Sequence, residues 1–233
     1  MASFTDTERL KRIILSNETY EVDTTGKEVV VLLLSGGFEF NNKSFYRKDV
    51  WSNARGLSLA DQGVINLVVN DVAEICVIEA KSTNKVDIKY IDDESITKKK
   101  VGKDNFFRNV ETILDNKSGL SNLIVGETYK PKGNWSSWPP HKHDTYVESN
   151  QSKQREIYLY KFMKPDGFGI QMIYETIDDP KVFFVKENTE IKIEKGYHPV
   201  VSSPHSEMYY LWVLFGDNSF KVETHQVYAE SKL

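Results

Sequence analysis

The histidines of this chain are concentrated in its second half. The first 140 residues contain none, and the five in the chain are His141, His143, His198, His205 and His225. Two of them, His141 and His143, are separated by a single residue and follow a Trp-Pro-Pro segment. On an extended segment, side chains at positions i and i+2 point to the same side of the backbone. Both imidazoles can then reach one ion, so this spacing predicts a metal site.

A third histidine, His198, lies beside a proline in the segment Gly196-Tyr-His-Pro-Val. Imidazole nitrogen is a good ligand for borderline divalent metals, and a carboxylate from elsewhere would complete a shell of histidines and one glutamate. Such a shell leaves room for water or substrate. The alternative is an exposed polar pair at a strand end. The third histidine and the proline-rich segment before His141 favour the metal site.

The composition is that of an ordinary folded protein. The 233 residues, 39% hydrophobic and 12% aromatic, suffice for one large domain or two small ones. A net charge of -4 predicts no nucleic-acid partner. The single cysteine, Cys76, allows no internal disulfide. Because no apolar run approaches roughly 20 residues and the first residues do not resemble a signal peptide, we expect no membrane association and a cytoplasmic location.

The elements that must position the histidines are strands. Short runs rich in Val, Ile, Tyr and Phe recur between turn residues, for example at 28–40, 63–69, 121–129, 156–162 and 208–215. This pattern predicts a mainly β architecture. Closing such strands into barrels removes their exposed edges, and two barrels of about 100 residues each would use the whole length. The charge-rich connector 92–103 places the division near residue 97, which gives domains 1–97 and 98–233.

Several blocks of the second half resemble one family. Residues 134–144 are similar to its segment N-W-S-S-Y-P-P-H-K-H-D, residues 168–174 to its strand F-x-x-Q-R-V-Y, and residues 196–200 to its G-Y-H-P-V. These blocks resemble the 5-deoxy-glucuronate isomerase family, two-barrel cupins of inositol catabolism related to 4-deoxy-L-threo-5-hexosulose-uronate ketol-isomerase. The resemblance implies an all-β bicupin: two β-barrel (double-stranded β-helix, jelly-roll) domains, with metal ligands in the second alone.

Carried over residue by residue, the resemblance implies four metal ligands: His141, His143, Glu156 and His198. The simplest cupin spacing, in which glutamate follows the second histidine by three or four residues, would instead choose Glu148. We prefer Glu156 because family members insert a loop before the strand that bears this ligand. The cofactor expected is one divalent ion per chain, with zinc preferred and manganese, nickel or iron as alternatives.

The family's activity implies an aldose–ketose interconversion of a deoxy uronic acid such as 5-deoxy-D-glucuronate. Tyr158, Tyr160 and Gln171 are the candidates for a catalytic role, and each of the tyrosines could instead simply pack in the core. The candidates for substrate binding are Arg108, Lys142 and Tyr174. Arg108 could equally make a structural salt bridge, and Lys142 could be solvated. Gln171 and Tyr174 lie on opposite faces of one strand, so at most one points inward.

Two departures from the family's pattern bear on the substrate. The chain has Met172 where the family strand has arginine, and Glu111 where the family has histidine. Methionine supplies neither the charge nor the donors that a guanidinium offers to a sugar-acid carboxylate. Two other functions therefore stay open: a non-catalytic metal-containing cupin that binds or senses a sugar acid, and an iron-dependent cupin dioxygenase. A small sugar acid is the expected partner, and the chain is expected to form a homo-oligomer.

Overall fold

A computed structural model describes residues 4–216 and 219–232, and almost all of its regular structure is β. The all-β prediction is confirmed. The chain divides into two compact units. Residues 4–96 and Ile113–Leu123 form the first unit, and Thr97–Thr112 with the chain from Ile124 onward form the second. In the part of the chain described, no helix is long and apolar enough to cross a membrane.

The first unit is built on one six-stranded antiparallel sheet in the order β1-β5-β2-β4-β6, with β3 paired to β2. Its strands are β1 (Arg9–Asp23), β2 (Lys27–Phe40), β3 (Lys43–Arg47), β4 (Gly56–Ala60), β5 (Val64–Lys81) and β6 (Val86–Ile91).

The residue pattern explains how the long strands of this sheet pack. The start of β5 alternates between exposed and buried residues, with Ile65, Leu67 and Val69 facing the core. The strand period of two accounts for this alternation. In β2 the run 29–34 is buried throughout. Gly36 in the same strand has φ of 76°, and a Cβ atom there would lie 1.9 Å from the carbonyl oxygen of Val72, so only glycine fits.

The strands of the second unit are β7 (Thr97–Val101), β8 (Arg108–Leu114), β9 (Leu123–Lys130), β10 (Trp135–Ser136), β11 (His141–Lys142), β12 (Gln154–Phe162), β13 (Phe168–Ile173), β14 (Lys181–Lys186), β15 (Glu190–Ile193), β16 (Val200–Ser202), β17 (Met208–Gly216) and β18 (Glu223–Thr224), although the end of β8 and the first residue of β9 belong to the first unit. They form two larger sheets, in the orders β10-β16-β13-β14 and β15-β12-β17-β9-β8-β7, and a short β11-β18 pair. Two 3-10 helices span Asp104–Phe106 and Gln226–Lys232.

Strand β12 carries the side chains that matter for the site. Glu156, Tyr158 and Tyr160 alternate along it, so they share one face, and all three are buried. Two of them, Tyr158 and Tyr160, pack in a core cluster with Val200 and Met208. The strand therefore presents a row of polar atoms to the interior of the second unit.

Candidate metal centre

Three buried side chains from different parts of the second unit converge on one point. The cluster consists of His143, Glu156 and His198, whose candidate ligand atoms all lie within 4.8 Å of one another. The Oε2 atom of Glu156 lies 3.2 Å from Nε2 of His143 and 3.3 Å from Nε2 of His198. One carboxylate oxygen thus faces two imidazole nitrogens, an arrangement in which a divalent ion can replace the direct contacts.

His141 lies at the border of this cluster. Its ring centroid is 5.0 Å from that of His198 and 6.3 Å from that of His143. His141 and Lys142 form strand β11, which pairs with Thr224 and Glu223. The three histidine rings of the predicted site therefore lie 5.0 to 6.3 Å from one another, measured between centroids.

Backbone carbonyl groups fix the orientation of each ring. The Nδ1 atoms of His141, His143 and His198 lie 3.1, 3.4 and 2.9 Å from the carbonyl oxygens of Pro139, Gln154 and Gly196, respectively. Because a carbonyl only accepts hydrogen bonds, each Nδ1 carries the proton and donates it. The Nε2 lone pairs are then available as ligands, as is usual for metal-binding histidine.

One buried atom supports a bound ion directly. Among the described residues, Nε2 of His198 has no hydrogen-bond partner, although the side chain is completely buried. Its 3.3 Å approach to Glu156 lacks hydrogen-bond geometry. A buried polar atom without a partner is costly and calls for an explanation. Coordination of a divalent ion by three imidazoles and one carboxylate would satisfy this nitrogen, so the residues present fit a metal.

The protonation states of His141 and Glu156 suit a set of cation ligands. Burial and the neighbouring His198 and His143 lower the pKa of His141 to about 3. Burial alone would raise the pKa of Glu156, but its contacts with His143 and His198 outweigh this and lower it to about 2. Burial lowers the pKa of His143, but the hydrogen bond to Glu156 and the negative charge of Glu156 raise it by more, so the net pKa is raised. The carboxylate is thus ionised and His141 neutral at ordinary pH.

A carboxylate beside the histidine pair joins the two loops that bear the ligands. Asp144 Oδ2 accepts the backbone N–H of Gly196 at 2.7 Å, and its Oδ1 accepts the Gln151 amide at 3.1 Å. Gly196 is two residues before His198, so this bond ties the His143 segment to the His198 loop. Asp144 is a positioning residue that sequence reasoning did not single out, although it directly follows His143.

Gln171 supports the same loop from the other side. Its amide nitrogen donates to the carbonyl oxygens of Met172, His198 and Pro199. Its Oε1 accepts a hydrogen bond from the hydroxyl of Tyr160. The structure therefore places this predicted catalytic side chain in a buried network that holds the His198 backbone.

The tyrosine hydroxyls form the polar interior next to the cluster. The Tyr158 ring lies 6.1 Å from that of His198, and its hydroxyl is 2.9 Å from Ser137 Oγ. Tyr210 shares a short hydrogen bond with Ser136. Burial raises the pKa of Tyr158 and of Tyr160 well above the ordinary value, so both are protonated. Ser137 was missed by sequence reasoning, because serine in a Ser-Ser-Trp run carries no distinguishing signal.

The three predicted substrate-binding residues are spread over different environments. Arg108 is buried near Tyr158 and Tyr210, where burial lowers its pKa and those tyrosines act in the opposite direction. Lys142 lies 3.3 Å from Glu223. Tyr174 lies away from the cluster, in contact with the rings of Tyr197 and His225. Only Arg108 reaches the interior next to the cluster.

Met172 does not face the cluster. It lies on the face of β13 opposite Gln171 and lines a separate cavity of about 160 Å³ with Trp135, Trp138 and Tyr174. Glu148, the alternative carboxylate, is exposed in a turn. The glutamate that joins the histidines in the structure is Glu156.

Fold and site together define a cupin, an all-β metalloprotein class with a histidine-rich centre inside an antiparallel barrel. Oxalate decarboxylase from Lactobacillus farciminis shares this fold at a TM-score of 0.61 and 8% identity, with 94% of this chain and 80% of that chain covered. The chain belongs to the KduI/IolB family, whose profile matches residues 9–230. The bicupin prediction and the predicted family are therefore confirmed.

Two other proteins are more similar to this chain in sequence than the oxalate decarboxylase is. An IolB-like protein from Salmonella typhimurium LT2 superposes with a TM-score of 0.89 at 25% identity, covering 96% of this chain and 89% of that chain. A 5-deoxy-glucuronate isomerase from Geobacillus kaustophilus is 29% identical over 217 residues, which make up 88% of this chain and 77% of the relative. The chain thus spans about three quarters of that relative's length.

Proposed function

We propose that this protein is a metal-dependent aldose–ketose isomerase acting on a deoxy uronic acid such as 5-deoxy-D-glucuronate, with 5-dehydro-2-deoxy-D-gluconate as product. The observation that carries the proposal is the buried cluster of His143, Glu156 and His198 in a chain of the KduI/IolB family. The similarity to a 5-deoxy-glucuronate isomerase supports the substrate.

The proposed ligands of one divalent ion are His141, His143, Glu156 and His198. Zinc is the preferred ion, with manganese, nickel or iron as alternatives, because three imidazoles and a carboxylate suit each of them. When bound, the ion would supply Lewis acidity that stabilises the negative charge of an enediolate.

Donation of a proton to the enediolate is assigned to Tyr158. Its hydroxyl is protonated, lies beside Ser137 Oγ and projects from the same strand face as Glu156. Ser137 can pass a proton on because a hydroxyl both donates and accepts. Tyr160 is the second candidate, but its hydroxyl is committed to Gln171. We assign Gln171 to positioning the His198 loop.

Arg108 is proposed to hold the carboxylate of the substrate. Its one hydrogen bond to a protein group among the described residues runs from Nη1 to the carbonyl oxygen of Phe106, so most of its donors are available. Lys142 and Tyr174 are proposed to contact parts of the substrate that lie farther from the metal cluster. Lys142 also forms an ion pair with Glu223.

A second candidate is a non-catalytic cupin that binds or senses a sugar acid. It is favoured by the hydroxyls of Tyr158, Tyr160 and Tyr210, each of which already has a hydrogen-bond partner in the protein. Such a protein would keep the metal and the substrate contacts but would leave the substrate unchanged.

Proton NMR of 5-deoxy-D-glucuronate in D2O distinguishes the two candidates. With metal-loaded protein we expect the keto acid to appear and to carry solvent deuterium at the carbon that exchanged its proton. A chelated sample of the same protein is the control. Unchanged substrate in the presence of stoichiometric bound metal would contradict the isomerase and support the binder.

We further propose that the protein acts in the cytoplasm, in inositol catabolism, as a homo-oligomer. Three exposed apolar side chains at the edge of one sheet support the homo-oligomer: Phe168, Val182 and Phe184. The rings of Phe168 and Phe184 stack with their centroids 4.9 Å apart. Light scattering after size exclusion tests it: Val182→Lys is expected to yield a smaller species than the unchanged protein.

A further inference from the structure

Two basic side chains are buried at the ends of neighbouring strands in the second unit. Lys130, at the end of β9, is 2% exposed, and Arg108, at the start of β8, is 8% exposed. Burial lowers the pKa of Lys130 well below its ordinary value, and the charge of Arg108 lowers it further. Like charges brought together away from water destabilise each other unless an anion compensates them.

The described residues supply no such anion. Among the described residues, Lys130 Nζ has one hydrogen-bond partner, the carbonyl oxygen of Val200 at 3.1 Å. Arg108 also bonds to a carbonyl oxygen, and no carboxylate of the described chain lies within ion-pair distance of either cation. Buried lysine and arginine are almost always paired. Two that are not paired indicate a site for an anionic ligand.

The position of the pair relative to the metal cluster identifies the ligand. The carbonyl oxygen that Lys130 bonds belongs to Val200, two residues beyond His198. Arg108 interacts electrostatically with Tyr158 and Tyr210. The Tyr158 ring in turn lies 6.1 Å from the His198 ring. Lys130 is thus connected to the cluster through the backbone that follows His198, and Arg108 through Tyr158.

We infer that Lys130 and Arg108 together form an anion subsite that holds the carboxylate of an open-chain sugar acid while its other end lies at the His143–Glu156–His198 cluster. A guanidinium pairs with a carboxylate through two parallel hydrogen bonds, and the ammonium adds a third donor. This inference rests on the proposed sugar-acid substrate but not on its turnover. Lys130 is the new member, since nothing in its sequence context, Tyr129-Lys-Pro131, marks it as functional.

Binding of D-gluconate and of sorbitol, measured by calorimetry on the metal-loaded protein, tests the inference. The two ligands have similar hydroxylated chains, but only gluconate has a carboxylate, and neither has the carbonyl group needed for isomerisation. We expect the unchanged protein to prefer gluconate by about tenfold or more, as a charge-assisted contact implies. Lys130→Met and, separately, Arg108→Gln are expected to remove most of this preference and to leave sorbitol binding within about twofold.

Lys186→Met, which removes an exposed lysine of β14, is the matched control and is expected to bind as the unchanged protein does. Equal binding of gluconate and sorbitol by the unchanged protein, or full gluconate preference in both variants, would overturn the subsite. If Lys130→Met does not fold, the gluconate preference of Arg108→Gln alone tests the subsite. If the two variants lose the gluconate preference but the unchanged protein shows no isomerase activity in the NMR assay, the subsite stands and only the proposed reaction is rejected.

Discussion

Glu156 Oε2 lies 3.2 Å from His143 Nε2, and both side chains are almost completely buried. The two residues come from different segments, since Glu156 is on β12 and His143 follows β11. A backbone hydrogen bond from Gln154 to the His143 carbonyl oxygen, 2.7 Å long, holds the segments together. This backbone bond thus holds the His143 and Glu156 side chains together, although the two residues are 13 positions apart in the sequence.

The carboxylate of this pair is expected to be necessary for metal binding. Glu156→Gln keeps the shape but removes the charge, so we expect the affinity for zinc to fall by roughly 100-fold or more, above the 10- to 100-fold typical of supporting residues. Glu148→Gln, at the exposed alternative position, is the control and is expected to leave the affinity unchanged. Titration with a competing chelator measures both. Loss of metal from the Glu148 variant alone would assign the ligand to Glu148.

His198 is expected to be a ligand through its unpartnered Nε2 atom. His198→Ala should reduce bound metal from about one ion per chain to a small fraction, because three protein ligands bind far more weakly than four. His205→Ala is the matched control: His205 is exposed and bonds Asp166 at 2.9 Å. Mass spectrometry of the metal content of dialysed protein makes the comparison. Equal metal in both variants would remove His198 from the site.

Tyr158 and Tyr160 are expected to differ in their effects. Tyr158→Phe should lower kcat by about 100-fold, the lower end for loss of a general acid or base, while metal content and KM stay close to their original values. Tyr160→Phe leaves Oε1 of Gln171 without its buried donor and should chiefly destabilise the fold, by about 1–3 kcal/mol. Kinetics and urea unfolding of the two variants separate these roles. A larger kcat loss in Tyr160→Phe would exchange the assignments.

The stability of the metal-free protein is expected to depend on His141 in mildly acidic solution. The folded-state pKa of His141 is about 3, below its ordinary value of 6.5. As the pH falls below 6.5 the unfolded chain takes up a proton that the folded chain does not, so stability falls, and this loss is complete near pH 3. The raised pKa of His143 acts with the opposite sign, since its contribution is lost as the pH rises through that value.

Urea unfolding at about pH 7.5 and about pH 5.5, compared between the unchanged protein and a His141 variant, measures this effect, and both pH values lie above the range in which the Glu156 carboxylate titrates. His141→Asn has no titrating ring and is expected to lose less stability between the two pH values than the unchanged protein. The same loss in both proteins would show that His141 is protonated in the folded state.

The sequence by itself determined the strands and predicted part of the candidate metal site. Alternation of apolar residues with period two is local, so the β character could be predicted wherever one face of a strand is buried, as in β5. The His-x-His spacing also acts locally, because neighbouring residues on an extended segment share a side. His141 and His143 could therefore be assigned together from their order in the chain alone.

Only the tertiary structure decided which distant groups meet these histidines. The simplest cupin spacing would choose Glu148 and the family resemblance Glu156. The pairing of β12 with β17 brings Glu156 into the interior while Glu148 stays in an exposed turn. The outward face of Met172 and the proximity of Lys130 to Arg108 likewise follow from strand register and sheet packing. Contacts between residues far apart in sequence depend on how whole sheets pair and close, and no local pattern of residue types encodes that.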